Sequence, residues 1–249
     1  ATNLAVASGQ AWVGPDPAPS GPDRRLDAHR LIRQRRSAVS MDASTHLEAE
    51  SFFALLRRLL PRQRVPFASL GHEPLVSLVL FVHRVKGLDP GLYFLSRHDD
   101  HETSLRGLVR QEFSWNKSDS VPADLALYQW ASGDVTRPAR QLSCNQAIAG
   151  DGAFSLGMLA RFRPALDEHG PGFYRQLFWE TGMIGQMLYL EAEAAGIRGT
   201  GIGCYFDDEF HTLLGLEDQT WQSLYHFTVG GPQRDDRLQT FPAYHHLDR

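Results

Sequence analysis

Three short stretches of this sequence hold residue types that could do chemistry together. In IRQRRSAVS, Arg33, Arg35, Arg36 and Ser37 fall at the end of a basic segment. Arginine presents a planar fork of donors that fits phosphate oxygens two at a time, and a neighbouring hydroxyl adds another donor. The same cluster reads equally well as a solvated helix end, where cations complement the helix dipole. In GTGIGCYFDDEFHTLLGL, residues 199–216, Gly199, Gly201 and Gly203 precede Cys204 and Tyr205 and then a helix-like run. Glycines without a Cβ allow a close backbone approach to a flat or charged ligand, or simply a tight turn between two helices. In DEHGPGFYR, Glu168 adjoins His169, an acid/base pair if the carboxylate orients the imidazole and a polar surface turn if it does not. Arg234 and Arg237 follow the last apolar run. Arg237 is the one placed to complete an anion site with the first helix, whereas Arg234 reads as solvated charge.

Other chemistries find less support. The histidines of RHDDHE (97–102) and YHHL (244–247) lack the helical spacing that puts two imidazoles on one face, so no metal site is expected. No GxSxG stretch sharpens a serine nucleophile. The 249 residues carry a net charge of -4, with no basic surplus to neutralise a phosphate backbone, so no nucleic-acid partner is expected. The best candidate for a membrane span, GMIGQMLYLEAEAAGI, contains Gln186, Glu191 and Glu193 and reads as a buried helix. Cys144 and Cys204, the two cysteines, are far apart in sequence and in no CxxC arrangement. No disulfide framework is indicated, and a reducing, cytoplasmic setting is the default expectation. Cys204 alone reads as a small buried hydrophobe.

These residues must be positioned by a larger frame. Residues 1–25, with four prolines and three glycines, read as a flexible arm or linker, and the absence of a first Met suggests processing or a piece of something longer. Residues 26–249 form one domain, since 42% hydrophobic content suits a single sizeable core. An amphipathic helix is expected over Leu26–Arg36, and a second after STHLE, where Thr45 and Glu48 have capping-box spacing. LVSLVLFVHRV, Leu75 to Val85, reads as a strand covered on both faces. GLDPG then turns the chain into LYFLS as a hairpin. A short helix is expected in HDDHETSLRGLVRQ, and loops in WNKSDSVPADL and ASGDVTRPAR. AFSLGMLARF reads as a strand, GFYRQLFWETGMIGQMLYLEAEAAGI as a long helix closed by Gly196, and SLYHFTVGGP as the last strand. Phe178, Ile184, Met187 and Leu188 are expected on one face of that helix, with Gly182 and Gly185 allowing close approach. The resulting class is α+β, helices around a mostly antiparallel sheet.

RQRRSA, GLDPGLYFL, SCNQ, WETGMIGQMLYLEAEAAGI, GTGIGCYFDDEFHTLLGL and YHFTVGGP, in this order from about Leu26 to Leu238, together resemble the nitroreductase-like flavin enzymes. More closely, the set is similar to the SagB/ThcOx-type dehydrogenase branch, which includes azoline oxidases of peptide natural-product pathways. The resemblance implies an FMN-dependent oxidoreductase working as a homodimer, with the long helix at the interface and NADH or NADPH as a potential electron donor. The substrate would be a small molecule or a modified peptide. By position, Arg35, Arg36, Ser37 and Arg237 would contact the phosphate, and Gly201, Gly203, Cys204 and Tyr205 would border the flavin ring. Two departures stand out. Glu168 and His169 replace a catalytic Lys-Tyr pair, and FASLGHEPLV (67–76) replaces PSAGALYPLE. They leave open a second reading, a non-catalytic scaffold subunit of a peptide-modifying assembly.

Overall fold

The computed structural model describes residues 27–247, so the arm expected over 1–25 lies outside the described residues. In chain order the elements are α1 (Ala28–Gln34), β1 (Leu47–Glu48), α2 (Ala49–Leu59), β2 (Val76–Val82), β3 (Val85–Lys86), β4 (Gly91–Leu95) and α3 (Asp99–Arg106). They continue as β5 (Leu127–Ser132), α4 (Thr136–Leu142), α5 (Ile148–Asp151), β6 (Phe154–Arg161), α6 (Phe162–His169), α7 (Tyr174–Ala194), β7 (Arg198–Ile202), α8 (Asp207–Leu214) and β8 (Trp221–Gly230).

Six strands form one antiparallel sheet in the order β5-β4-β2-β6-β8-β7, while β1 and β3 make a separate parallel pair. The apolar run of β2 is buried at every position because both faces of the sheet are covered. Alternate residues serve the two sides. Val76, Leu78, Leu80 and Val82 pack with Leu55, Leu56 and Leu59 of α2 and Leu177, Ile184 and Leu188 of α7. Val79 and Phe81 pack with Leu105 of α3, Leu142 of α4, and Phe210 and Leu214 of α8. The period of two in the strand thus specifies a three-layer domain, helices on both faces of a central sheet.

A buried ion pair ties α7 to the sheet. Arg97 donates to Glu180, which also accepts from the Leu75 N–H at 2.9 Å, while further Arg97 donors reach the Leu59 and Val76 carbonyls. Both charged side chains are fully buried. Removing one partner of such a pair typically costs about 3–5 kcal/mol, because the other charge is stranded in a medium that cannot solvate it.

Several local expectations are corrected. Thr45 and Glu48 do not form a capping box: Thr45 bonds Asp42, Glu48 pairs with Lys86, and α2 starts at Ala49 with no side-chain cap. The short β1–β3 pairing draws residues 47–48 into extended backbone, which moves Thr45 away from the cap position. The segment ASGDVTRPAR, read as a loop, holds the last two residues of β5 and most of α4. On α7, Ile184 and Leu188 face the core, but Phe178 is 39% exposed, beside Tyr174 and Trp179. Six residues at 3.6 per turn cannot return to the same face.

The glycine cluster is neither a turn between helices nor a loop throughout. Gly199 and Gly201 lie within the edge strand β7, opposite Val229 and Phe227 of β8. A Cβ at Gly199 would stand 2.6 Å from the Phe227 ring, and one at Gly201 would overlap the Tyr225 hydroxyl. Only Gly203, beyond the strand end, has open space around it. Gly201→Ala is therefore expected to lower stability by about 1–3 kcal/mol through overpacking. Gly107→Ala, where an added Cβ meets nothing within 4 Å and φ is already helical, should be neutral or slightly stabilising. Urea unfolding of the two variants checks the contrast; equal midpoints would contradict it.

Candidate functional site

The candidate residues converge on Tyr189, in the last third of α7. The Gly201 N–H donates to the Tyr189 hydroxyl oxygen at 2.9 Å, and the Tyr189 and Ser37 hydroxyls share a hydrogen bond, also 2.9 Å long, in which either can be the donor. The Arg35 guanidinium lies over the Tyr189 ring, 4.6 Å from its centroid. One side chain thus joins the arginine-serine segment to the glycine strand. The backbone supports the junction: Ala38 N–H donates to the Gly199 carbonyl at 3.3 Å, and the Thr200 hydroxyl donates to the Ala38 carbonyl at 2.7 Å. Farther along, Asp42 N–H bonds the Gly231 carbonyl and Gln233 N–H the Ser40 carbonyl. Ala38 therefore covers part of the outer edge of β7, and residues 40–42 pair with residues 231–233 beyond the end of β8.

Of the two adjacent arginines, Arg36 is spent on structure: it donates to the carbonyls of Arg33, Arg35 and Phe241. The Arg35 guanidinium donates no hydrogen bond among the described residues. Beside it, along α7, opens a hollow of about 250 Å³ lined by Gly182, Gly185, Gln186, Tyr189 and Tyr225, with Phe178 and Thr181 at one end. The sequence reading named the two glycines but missed Gln186, Tyr189 and Tyr225. Extending the helical spacing from Gly182 and Gly185 to 186 and 189 would have found the first two; Tyr225 depends on which strand packs beneath.

Gly203, Cys204 and Tyr205 follow β7 directly. Tyr205 stacks on His226 with ring centroids 4.1 Å apart and planes within 8°, and its hydroxyl donates to the Ser223 carbonyl at 3.2 Å. Behind it, Ser223 Oγ lies 3.0 Å from His226 Nε2, and the Ser223 N–H donates to His211 Nε2 at 3.1 Å. Burial pushes the His226 imidazole down to about 3 and lowers His211 as well. Burial, with Asp207 adding, pushes the Tyr205 phenol up to about 12. The group is a rigid, uncharged platform under the Cys204–Tyr205 backbone.

The cysteine reading is overturned. Cys144 and Cys204 form a disulfide across 60 residues of sequence, with Cα atoms 5.9 Å apart, and Cys204 is exposed rather than buried. The end of α4 and the end of β7 meet only in the folded chain, so no local spacing announces the pair. One ground for a reducing, cytoplasmic setting is thereby removed.

The remaining candidates stand apart. Glu168 and His169 end α6 on the surface, 3.8 Å from each other, and the His169 ring packs on Phe173 at 4.3 Å. No hydrogen bond among the described residues links them to Tyr189. Arg237 is exposed and pairs with Asp235 at 2.8 Å in its own loop, and among the described residues no hydrogen bond joins it to Arg35, Arg36 or Ser37; Arg234 is exposed too. Among the described residues no group of three or more His, Cys, Asp or Glu is placed to hold a metal ion, and no helix is long and apolar enough to cross a membrane. His98 instead caps α3, and the buried His101 bonds Ser77 at 2.7 Å.

Comparison with known proteins now decides the family. Residues 97–231, more than half of the chain, match the nitroreductase family. The chain belongs to that family. No curated protein sequence matches it. Among solved structures, it is similar to a protein from Anabaena variabilis assigned as a nitroreductase (24% identity, TM-score 0.61), covering 80% of this chain and 37% of that one. This nitroreductase family member thus spans little more than a third of that relative's length. It is also similar to a chain of the Escherichia coli microcin synthetase McbBCD complex bound to truncated pro-MccB17 (17% identity, TM-score 0.59, 88% and 77% covered). A third likeness is to the Vibrio harveyi NADPH:FMN oxidoreductase complexed with NAD+ (15% identity, TM-score 0.51, 88% and 74% covered). At these identities the shared property is the fold.

The buried imidazole behind Tyr205 has a consequence for stability. Folded His226 stays neutral down to about pH 3, while the unfolded chain takes up the proton near 6.5. Between those values the unfolded state binds more protons, so stability is complete above about pH 6.5 and declines as the pH falls, by about 1.4 kcal/mol per pH unit for the group. His226→Gln should flatten that decline by one group's share. Urea titrations between neutral pH and about pH 5 measure it, and an unchanged slope in the variant would contradict the assignment.

Proposed function

We propose that this nitroreductase family member is an FMN-dependent oxidoreductase, moving a hydride between a reduced donor and an organic acceptor. The observation that carries the reading is the Tyr189 hydroxyl, which joins Ser37 and the Gly201 N–H at the rim of the α7 hollow. The residues present fit the cofactor. Arg35 and Ser37 offer a bidentate donor and an exposed hydroxyl for a phosphate, and an added Cβ at Gly182 or Gly203 would meet nothing within 4 Å. Bound flavin supplies two-electron redox chemistry, so the protein need only hold, orient and tune it. In this reading Tyr189 sets the distance between the phosphate and ring ends of the site. The Tyr205–His226 stack and the Cys144–Cys204 disulfide together hold the Cys204 backbone, and Phe178 and Tyr225 wall the hollow against water.

The exposed Tyr174, Phe178 and Trp179 beside the hollow make an aromatic face of the kind that marks an association surface. A second copy of the chain would close the hollow there, making α7 the interface helix of a homodimer. NADH or NADPH is the proposed electron donor, a choice supported by the name and bound nucleotide of the Vibrio harveyi protein. The ordered motifs support placement in the SagB/ThcOx-type branch, with a small-molecule or modified-peptide substrate. Arg237, Glu168 and His169 are not needed by this reading. Their separation from the hollow favours a second one, a catalytically silent subunit of a peptide-modifying assembly.

Titrating FMN into the protein while following flavin fluorescence separates the two. Wild-type binding is expected. Tyr189→Phe should weaken it about fivefold through a lost hydrogen bond, and Arg35→Ala about tenfold or more through a lost charge-assisted contact. Turnover of NADH or NADPH with a quinone would then exclude the silent subunit, whereas a folded wild-type protein that does not bind FMN would overturn the flavin reading.

A further inference from the structure

The disulfide borders residues 203–206, the segment that leaves the end of β7. It joins the two cysteines of the chain, Cys144 in the turn between α4 and α5, and Cys204 one residue past Gly203. Cys204 is exposed and Cys144 half-buried, so an attacking thiolate has a path to the outer sulfur. The turn that carries Cys144 holds two consecutive left-handed residues, Asn145 at φ +58°, which asparagine adopts readily, and Cys144 at φ +54°, which a cysteine seldom does. A cysteine stays left-handed only where the surroundings over-determine it. Besides the disulfide, the hydrogen bonds recorded between these two segments are Gln146 Nε2 to the Cys204 carbonyl at 3.0 Å and the Phe206 N–H to the Leu142 carbonyl at 2.8 Å. On the other side, the Tyr205–His226 stack anchors the segment, and Gly203 provides an unobstructed pivot before it.

We propose that the Cys144–Cys204 disulfide is a reversible redox latch on residues 203–206, opened by a dithiol reductant and closed by a disulfide oxidant. In opening, one thiolate of the dithiol attacks Sγ of Cys204. The protein S–S bond breaks, and Cys144 leaves as a thiolate that takes up a proton. The second thiol of the reductant, losing its proton, then attacks the mixed disulfide and releases Cys204. Two electrons pass from the dithiol to the protein; the reductant ends as a disulfide and the protein as two thiols. With the bond gone, the left-handed turn at Cys144–Asn145 relaxes and frees the neighbouring segment. The latch stands on its own, but its consequence for cofactor affinity rests on the flavin reading above.

Hydrogen exchange of the full chain, read by mass spectrometry on peptides spanning 142–146 and 203–206, tests the latch without flavin. Treatment of the native protein with millimolar dithiothreitol should convert both cysteines to alkylatable thiols and speed exchange in both segments by about tenfold. Exchange in β6 and β8 should be unchanged, and glutathione disulfide should restore the starting pattern. Cys204→Ser should reproduce the fast pattern without reductant. A disulfide that resists the dithiol in the folded protein, free thiols in air-oxidised protein, or reduction with no change in exchange would each overturn the latch. FMN dissociation constants of the two states should differ by about fivefold. Equal constants would overturn the regulatory consequence, whereas absence of FMN binding in both states would overturn the flavin reading and leave the exchange result standing.

Discussion

The space beneath β7 is already taken, and much of the site follows from that. Tyr225 and Phe227 of β8 project into the volume where side chains at 199 and 201 would stand. Only glycine lets the edge strand complete its pairing over them, and only that pairing brings the Gly201 N–H within reach of Tyr189. The chain accepts the conformational cost of glycine in a strand in exchange for a close approach of three layers at one point. Through Tyr189 the same contact reaches Ser37 and orders the segment that covers part of the strand edge.

The helix α7 serves two solvents at once. Leu177, Ile184 and Leu188 face the core, and Glu180 is held in the interior by Arg97 and by backbone N–H groups at the start of β2. The opposite side carries Tyr174, Phe178 and Trp179, all substantially exposed, and between the two sides lies the glycine-lined hollow. The buried ion pair sets the rotation of the helix about its axis: turning it would pull a charge out of its partners. That rotation sets Tyr189 between the N-terminal segment and the sheet, bonded to Ser37 and to the Gly201 N–H and packed edge-on against Phe227. The platform of Tyr205, His226 and Ser223 plays the matching part on the far side, replacing mobile charge with packed neutral rings.

Patterns with a local cause were legible. The unbroken apolar run of β2, the GLDPG hairpin and the long helix ended by Gly196 all appear where periodicity and turn chemistry place them. The class, α+β with an antiparallel sheet, follows from the same signals. The strand β5 was missed because Gln129 interrupts a short apolar run between two segments rich in turn residues, and its place comes from pairing with β4. The capping box failed because a distant strand, β3, claimed Glu48 while Thr45 bonded Asp42. Of the candidate site, Arg35, Ser37 and Gly201 do meet, but the residue that joins them carried no motif of its own.

By itself, the sequence determined which residues are apolar on one period or another, where the chain must turn, and which side chains carry donors suited to an anion. Those properties depend on neighbours within a few residues, and a linear reading contains them. Only the tertiary structure decided that Cys144 and Cys204 would be bonded, that Arg36 would be spent on carbonyls while Arg35 was not, and that Arg237, Glu168 and His169 would stand outside the hollow. The disulfide, the Arg36–Phe241 bond and the lining of the hollow turn on which distant segment occupies a given volume. Close packing allows one occupant per space, and the competition for it runs over the whole chain.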